Sequence, residues 1–267
     1  MDIKEQLNEL FEALQNKHAL IHHITNYVTV NDCANVVLAI GASPIMADEI
    51  SEVEEMVGIC NALVLNIGTA NERTIASMLK AGKAANAKGI PVVLDPVGVG
   101  ATPFRRQSVA KLMDAISFSV IRGNMAEIKT IAGLEAKSSG VDSLEEESDG
   151  AKIALTLAKK LGCVIAITGK IDIVSDGDST YALENGDVAL TNVTGTGCMS
   201  TSLIGSFLGA SNNALTSAIA GILTMSIAGE IASKSQGMGT FRTSLIDAIS
   251  LMDAKSINSS AKIDFIK

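Results

Sequence analysis

The segment of this chain with the clearest chemical potential is Gly195-Thr196-Gly197-Cys198, which stands directly before a long apolar stretch. Two glycines separated by one residue leave backbone N–H groups free to face a developing negative charge where a helix begins. The segment lacks the further glycines that the Walker and dinucleotide-binding fingerprints need. A glycine-rich packing turn is the alternative, but polar residues at other predicted strand ends favour an anion hole formed by Gly195, Thr196 and Gly197.

A carboxylate, Asp95, follows the short apolar run 91–94. An Asp at the end of a buried strand can hold Mg²⁺ through water, and the next residue, Pro96, fixes the geometry with which the chain leaves the strand. A simple Asp-Pro turn is the alternative, and Asp95 taken alone would favour that turn.

Two more predicted strand ends carry groups suited to phosphate or metal. Arg122 follows a short apolar run, and a guanidinium at a strand end suits a phosphate better than a core. Glu127 follows Asn124 by three residues, a spacing that fits a helix capping box as well as a metal ligand. Thr168 ends another apolar run and offers a hydroxyl beside a glycine, although Thr-Gly turns are common.

The elements that must position these groups are strands and helices in alternation. Short apolar runs with the length of buried strands, each followed by turn residues, are found at 62–65, 91–94, 118–121 and 163–167. Helical stretches lie between them, for example 71–87 and 124–132. This alternation predicts an α/β fold with a mostly parallel central sheet and helices on both faces. In such folds, ligands enter the crevice at the carboxyl ends of the strands, where the candidate residues stand.

Composition and charge limit the classes of function. The chain has 267 residues, of which 47% are hydrophobic and 19% charged. This suits one large α/β domain spanning 1–267, with apolar surface left for an oligomer. The net charge of −8 argues against nucleic acid as a partner, because such binding needs clustered Lys and Arg. The apolar region 203–232 is interrupted by Asn212 and Asn213, which predicts two packed core helices and no membrane span.

Cysteine, histidine and loop residues add three further expectations. The four cysteines show no CxxC and no metal-ligand spacing, and together with the Met-Asp-Ile-Lys start they indicate a reduced cytoplasmic protein. His22 and His23 are adjacent, so on a strand they would point to opposite faces and share no metal ion. The polar and acidic residues 138–150 predict an exposed loop.

Five segments together carry a resemblance to a known family. In chain order they are 22–35 (HHITNYVTVNDCAN), 41–47 (GASPIMA), 95–98 (DPVG), 122–127 (RGNMAE) and 195–198 (GTGC). They are similar to segments of the hydroxyethylthiazole kinases, a family of the ribokinase-like superfamily. The resemblance covers nearly the whole chain, apart from 138–150 and the C-terminal end. It implies a ribokinase-like fold and an ATP-dependent kinase that phosphorylates the hydroxyl of 4-methyl-5-(2-hydroxyethyl)thiazole in thiamine biosynthesis or salvage.

The resemblance also implies roles for the residues at the strand ends. Arg122 and Thr168 should contact the phosphates of ATP. Asp95 and Glu127 should organise Mg²⁺, largely through water.

On the acceptor side, the resemblance implies that Met46 and Gly195 line the thiazole pocket, with Asn26 nearby as a polar contact. A methionine is chemically suited to a sulfur heterocycle because its thioether is soft and adaptable, although most methionines simply fill a core. The family forms trimers with the thiazole pocket between subunits, so a homotrimer is expected here as well.

Cys198 is the candidate for the catalytic base. Most kinases of the superfamily carry Asp after Gly-Thr-Gly, where it receives the proton of the substrate hydroxyl, whereas the thiazole kinases carry Cys there. We expect amides at the helix N-terminus to lower the pKa of Cys198 and to make it a modest base. Such a base is sufficient, since phosphoryl transfer depends mainly on positioning and charge neutralisation. A small packing residue is the alternative for Cys198.

Two rival functions stay open. One is another enzyme of the same fold, namely a hydroxymethylpyrimidine kinase, a pyridoxal kinase or an ATP-dependent nicotinamide-hydrate dehydratase. Cys198 and the segment 22–28 argue against it. The other is a non-catalytic sensor of a thiazole or a nucleotide, and the complete set of phosphate, metal and base positions argues against that.

Overall fold

The computed structural model describes residues 2–134 and 143–267, and for 143–148 it describes the backbone alone. Within these residues, one sheet is formed by β1 (Leu20–Ile24), β2 (Ser43–Met46), β3 (Ala62–Asn66), β4 (Val92–Asp95), β5 (Val120–Asn124), β6 (Val164–Thr168), β7 (Asp172–Ser175), β8 (Thr180–Leu183) and β9 (Ile263–Phe265). Its strand order is β2-β1-β3-β4-β5-β6-β7-β8-β9. The pairs from β2 to β6 are parallel and those from β6 to β9 antiparallel. The predicted mostly parallel sheet is confirmed.

The four strands predicted from the sequence end one to three residues beyond their apolar runs, and β4, β5 and β6 also begin one or two residues later than predicted. β3 includes Asn66, β4 includes Asp95, β5 continues past Arg122 to Asn124, and β6 includes Thr168. Asn66 pairs with Asp95, and Asn124 pairs with Thr168. These polar residues therefore belong to the hydrogen-bonded sheet and not to the loops that follow, which holds their backbone in fixed positions.

The helices are α1 (Ile3–Lys17), α2 (Val30–Ala39), α3 (Val53–Gly58), α4 (Glu72–Ala87), α5 (Pro103–Ala115), α6 (Met125–Ile131), α7 (Ser143–Leu161), α8 (Thr196–Ala210), α9 (Ala214–Ala232), α10 (Met238–Ser250) and α11 (Ala254–Ser260), with a 3₁₀ helix at Val188–Asn192. The predicted helices 71–87 and 124–132 correspond to α4 and α6. Each begins after an N-cap asparagine, Asn71 or Asn124, whose side chain accepts a backbone N–H three residues on.

Helices cover both faces of the sheet, and alternate strand residues separate two apolar cores. On one face, Val64, Val93 and Val120 pack in a core shared with α1, α2, α8, α9 and α10. On the other face, Leu65 and Leu94 pack in a core shared with α3, α4, α5 and α7. A strand residue therefore faces α8 only if it lies an even number of residues from the valine of its own strand.

The apolar region 203–232 folds as predicted into two helices that pack on each other, the greater part of α8 and the whole of α9. By length and hydropathy, α9 alone among the described residues would pass for a membrane span. However, 78% of its apolar window is buried inside the protein, as in the core helix of a globular protein.

The loop predicted at 138–150 is wrong for its second half. Residues 143–150 form the first turns of α7, while 138–142 lie outside the described residues. The run of Glu at 145–147 is a good helix former, and negative charge near a helix N-terminus is favourable. Gly150 is accepted within the helix because it packs closely, since a Cβ there would lie 3.1 Å from Cε of Met125.

Candidate active site

Three polar side chains stand next to one another across neighbouring strands. Asn66 on β3 pairs with Asp95 on β4. Asp95 is one position beyond the Leu94–Ile121 pair, which sets it beside Arg122 on β5. Each of the three follows by two residues a valine of the core under α8, so all three point to the α8 face of the sheet.

Asp95 is fully buried beneath the first turns of α8. Its Oδ2 accepts hydrogen bonds from Nδ2 of Asn66 at 2.8 Å and from Oγ1 of Thr201 at 2.9 Å. Its Oδ1 accepts none from the described residues and lies 3.8 Å from Nη1 of Arg122. Burial raises the pKa of Asp95 to about 6, although the charge of Arg122 opposes this shift. One carboxylate oxygen is thus left to bind something else.

Cys198 lies over the same row of side chains. Its Sγ faces the side-chain Nδ2 groups of Asn26 at 3.4 Å and Asn66 at 3.3 Å. Burial raises the pKa of the thiol and the charge of Asp95 raises it further, which outweighs the hydrogen bonds from Thr29, Asn66 and Asn26. The expectation that the helix N-terminus lowers this pKa is wrong, because burial of Cys198 in the first turn of α8 removes the water that a thiolate needs.

Two glycines let the start of α8 approach its neighbours closely. Gly195, the N-cap, has φ of 86°, and a Cβ there would lie 2.4 Å from Cγ2 of Thr29. A Cβ on Gly197 would lie 2.5 Å from Nη1 of Arg122. The first N–H groups of an α-helix have no intrahelical partner, and one of them belongs to Gly197, which packs against the guanidinium. This is a local environment that favours an anion.

Arg122 also contacts the candidate at the end of β6. Its Nη2 donates a hydrogen bond to Oγ1 of Thr168. Its Nε has no hydrogen-bond partner among the described residues, and its side chain is 12% exposed. The guanidinium is therefore held in place and still has donors to offer.

A cavity of about 730 Å³ opens beside this pair, a volume within the range of cofactor and small-molecule sites. Polar lining includes Arg122, Thr168, Gly197, Lys170 and the carboxylates of Asp172 and Asp187, and apolar lining includes Val188, Leu190, Ile222 and Met225. A ligand with an anionic part and a flat, weakly polar part would match both kinds of lining.

Glu127 is a structural cap as well as a candidate metal residue. Its Oε2 accepts the N–H of Asn124 at 2.8 Å, and Oδ1 of Asn124 accepts the N–H of Glu127 at 2.9 Å, which confirms the capping box. Its Oε1 accepts the N–H of Gly98 at 2.8 Å, and its charge contributes to the raised pKa of Asp95. Glu127 therefore holds the turn after Asp95.

Asn26, the predicted polar contact of the thiazole, lies beside Asn66 and Cys198. It is buried, and its Oδ1 accepts hydrogen bonds from the backbone N–H and from Oγ1 of Thr29, both at 3.1 Å. Its Nδ2 donates to Oδ1 of Asn66 at 3.0 Å. Since Thr29 packs on Gly195, the structure brings Asn26, Gly195 and Cys198 together.

Met46 is the one predicted site residue that stands apart. It ends the edge strand β2, where it pairs with His23 of β1. Because β1 separates β2 from β3, Met46 lies about 10 Å from the strand that carries Asn66. Within the described residues, no hydrogen bond joins it to Cys198.

Sequence reasoning missed Asn66, Thr201 and Thr29. Asn66 had a signal, since it follows the apolar run 62–65 as Asp95 follows its own run. Thr201 had none, because a threonine within a helix is ordinary in sequence, and its contact with Asp95 arises only from the packing of α8. Thr29 bonds locally to Asn26, three residues before it, and only its contact with Gly195 depends on α8.

The adjacent histidines bond separately to backbone carbonyls. Nε2 of His22 lies 2.8 Å from the carbonyl of Ala47, and Nδ1 of His23 lies 3.1 Å from the carbonyl of Ile21. Burial lowers the pKa of both rings, that of His23 to about 4. In the part of the chain that is described, no cluster of three His, Cys, Asp or Glu side chains suits a metal ion.

Comparison with known proteins decides the family. A model of the hydroxyethylthiazole kinase family matches residues 11–255. The chain belongs to the hydroxyethylthiazole kinase family. The hydroxyethylthiazole kinase of Alkaliphilus oremlandii (strain OhILAs) is 53% identical over the whole of both chains, and that of Clostridium tetani (strain Massachusetts / E88) is 48% identical over 98% of this chain and 99% of its own.

Solved structures agree with the family assignment. A hydroxyethylthiazole kinase protein from Pyrococcus horikoshii OT3 superimposes with a TM-score of 0.91 at 35% identity, covering 98% of this chain and all of that one. The pyridoxal kinase from Staphylococcus aureus in complex with ADP gives a TM-score of 0.64 at 14% identity, covering 92% of this chain and 98% of that one. This second likeness concerns the fold alone, which the hydroxyethylthiazole kinase family shares with other small-molecule kinases.

Proposed function

We propose that this protein transfers the γ-phosphoryl group of ATP to the hydroxyl of 4-methyl-5-(2-hydroxyethyl)thiazole. Membership of the hydroxyethylthiazole kinase family supports the substrate. The observation that carries the chemistry is the row Asn66–Asp95–Arg122 set under the Gly195–Cys198 turn. It brings a carboxylate, a guanidinium, helix N–H groups and a thiol within a few ångströms, the parts that a phosphoryl transfer needs.

The nucleotide would occupy the cavity beside Arg122. The guanidinium and the hydroxyl of Thr168 would hold phosphate oxygens, since both line the cavity and touch each other. The N–H groups of the Gly195-Thr196-Gly197 anion hole would stabilise the charge that develops on the transferred group. The apolar part of the cavity would receive the base.

The residues at the end of β4 fit a Mg²⁺ ion. The fit rests on Oδ1 of Asp95, a buried carboxylate oxygen without a hydrogen-bond partner among the described residues. Glu127 lies near enough for its charge to act on Asp95, and it would contribute through water, because both of its oxygens already accept backbone N–H groups. When bound, Mg²⁺ would supply positive charge to the phosphates.

Cys198 would receive the proton of the substrate hydroxyl. Its Sγ lies at the surface of the row, where the amide groups of Asn26 and Asn66 donate toward it and would stabilise the thiolate as it forms. Its raised pKa means that the thiol is protonated near neutral pH in the free protein. Charge neutralisation by the rest of the site would then supply most of the acceleration.

The acceptor pocket would include Asn26, Gly195 and Met46. Asn26 and Gly195 lie beside Cys198. Met46, at the end of an edge strand, would contribute from another subunit in a homotrimer with the pocket between subunits, and this arrangement would account for its distance from Cys198.

Free cysteines in the described residues fit a reduced, cytoplasmic setting.

A substrate panel tests the proposal. Purified protein, ATP and Mg²⁺ are assayed for ADP release with the thiazole alcohol, pyridoxal and hydroxymethylpyrimidine. We expect the highest kcat/KM with the thiazole alcohol, giving its phosphate ester. A higher value with pyridoxal or the pyrimidine would assign the protein to another kinase of the same fold. Tight binding of the thiazole without turnover would instead indicate a sensor.

A further inference from the structure

Asp172 is a buried acidic residue that has no part in the proposed chemistry. It begins β7, is 5% exposed, and lines the same cavity as Arg122 and Thr168. A buried carboxylate is costly unless its oxygens are well bonded, so its presence beside an anion-binding cavity needs a reason.

The hydrogen bonds of Asp172 tie a turn to a helix. Its Oδ1 accepts the N–H of Gly169 at 2.9 Å, which closes the turn between β6 and β7. Its Oδ2 lies 3.4 Å from Oγ of Ser226 on α9. The residue just before this turn is Thr168, whose hydroxyl accepts from Arg122. The carboxylate therefore holds the backbone on which one of the two phosphate contacts stands.

Electrostatics connect Asp172 with the same guanidinium. Burial raises the pKa of Asp172 to about 6, and the charge of Arg122 acts against that shift. Arg122 lies on β5, between the strand of Asp95 and that of Asp172 in the sheet. A positive group flanked by two buried carboxylates has a restricted position even before a ligand arrives.

We propose that Asp172 is a positioning residue for the nucleotide phosphates. By holding the N–H of Gly169, it keeps the hydroxyl of Thr168 in contact with Arg122 and thereby preorganises the two groups for a phosphate. The inference rests on the proposed function in one respect, that Arg122 and Thr168 bind the nucleotide. Asp172 acts through the hydrogen bond that its Oδ1 accepts from the N–H of Gly169, and an amide oxygen can accept the same bond.

The test measures the dissociation constant of ADP with Mg²⁺ by calorimetry, together with KM for ATP and for the thiazole alcohol. Asp172→Ala should weaken ADP binding and raise KM for ATP about 10-fold, as expected when a buried N–H loses its acceptor. KM for the thiazole alcohol should stay within about 2-fold of its normal value. Asp172→Asn should restore both nucleotide constants to within about 3-fold of normal, because its amide oxygen still accepts from Gly169.

Asp176 offers a matched control on the other end of β7. Its Oδ1 accepts the N–H groups of Asp178 and Ser179 at 2.9 and 2.7 Å in an exposed turn away from the cavity. Asp176→Ala also removes turn hydrogen bonds, in this case two, yet it should leave ADP binding unchanged. If Asp172→Ala does not fold, Asp172→Val serves in its place, since Val fills the site and suits a strand.

Normal ADP binding in a folded Asp172→Ala or Asp172→Val protein would overturn the inference. So would an Asn variant as weak as the Ala variant, because the charge and not the hydrogen bond would then matter. Failure of the proposed function gives a different result. Wild-type protein that binds ADP but does not phosphorylate the thiazole alcohol would refute the substrate, while the ADP constants would still decide the role of Asp172.

Discussion

Nδ2 of Asn66 lies 3.3 Å from Sγ of Cys198, although the two residues are 132 positions apart in the chain. The same amide nitrogen lies 2.8 Å from Oδ2 of Asp95. One side chain thus joins the candidate base to the candidate metal residue. This relationship places the thiol, the carboxylate and the start of α8 in a single cluster.

The base hypothesis predicts different results for two substitutions of Cys198. Cys198→Ala should lower kcat by about 10²- to 10⁴-fold, the usual effect of losing general acid–base help. Cys198→Asp should stay active, because a carboxylate can take the same proton. Steady-state kinetics measure both, and thermal unfolding checks that the Ala variant is folded.

Two outcomes would contradict this reading of Cys198. An Ala variant with normal turnover would leave Cys198 with a packing role only. A phosphocysteine adduct found by mass spectrometry, together with an inactive Asp variant, would indicate a covalent nucleophile instead.

The pH dependence of the reaction should also reflect Cys198. Burial raises the pKa of its thiol above the ordinary value of 9.0. Since the base must be unprotonated, kcat/KM of the wild type should rise as pH increases from about 7 to 9. In Cys198→Asp the base is already ionised over that range, so the rise should disappear. A wild-type profile that is flat between these pH values would argue against a thiolate base.

Arg122 should be required for turnover. Arg122→Ala should lower kcat by about 10³- to 10⁵-fold, as the loss of an arginine that stabilises transition-state charge does. Arg122→Lys should recover only part of this, because an ammonium cannot reach both Thr168 and a phosphate as the planar fork does. Near-normal kcat in a folded Arg122→Ala protein would make this strand end structural.

Gly197 should tolerate no side chain. In Gly197→Ala, the new methyl group would lie 2.5 Å from Nη1 of Arg122 and would displace the guanidinium. We expect KM for ATP to rise and kcat to fall by about 10-fold or more. Gly239→Ala is the matched control. Gly239 also lies in the first turn of a helix, but no atom lies within 4 Å of the position that its new Cβ would take. Equal kinetics in the two variants would show that Arg122 moves without consequence.

Asp172→Asn should stabilise the free protein at high pH. Burial raises the pKa of Asp172 to about 6, so between about pH 4 and 6 the folded state binds more protons than the unfolded state. Stability then falls as pH rises through this range, by up to about 3 kcal/mol for a shift of this size. The Tm of the Asn variant should exceed that of the wild type at pH 8 and equal it at pH 4. A constant difference at both pH values would exclude the carboxylate as its cause.

Much of this site could be predicted from residues that are close together in the chain. Asp95, Arg122 and Thr168 were found because each follows a short apolar run, and the capping box of Asn124 and Glu127 needs only three residues of spacing. The alternation of strands and helices likewise depends on local periodicity. The segment 143–150 differs because two local properties of it conflict: its polar, acidic composition favours a loop, whereas the helix propensity of Glu favours the helix that forms.

The sequence by itself determined the fold class, the family and the strand ends that carry polar groups, because local patterns encode all three. The tertiary structure alone decided that Asn66 joins Asp95 to Cys198, since this depends on the register between strands and on the docking of α8. It also decided that the Cys198 thiol has a raised pKa, because burial, and not position at a helix N-terminus, controls how much water reaches the sulfur.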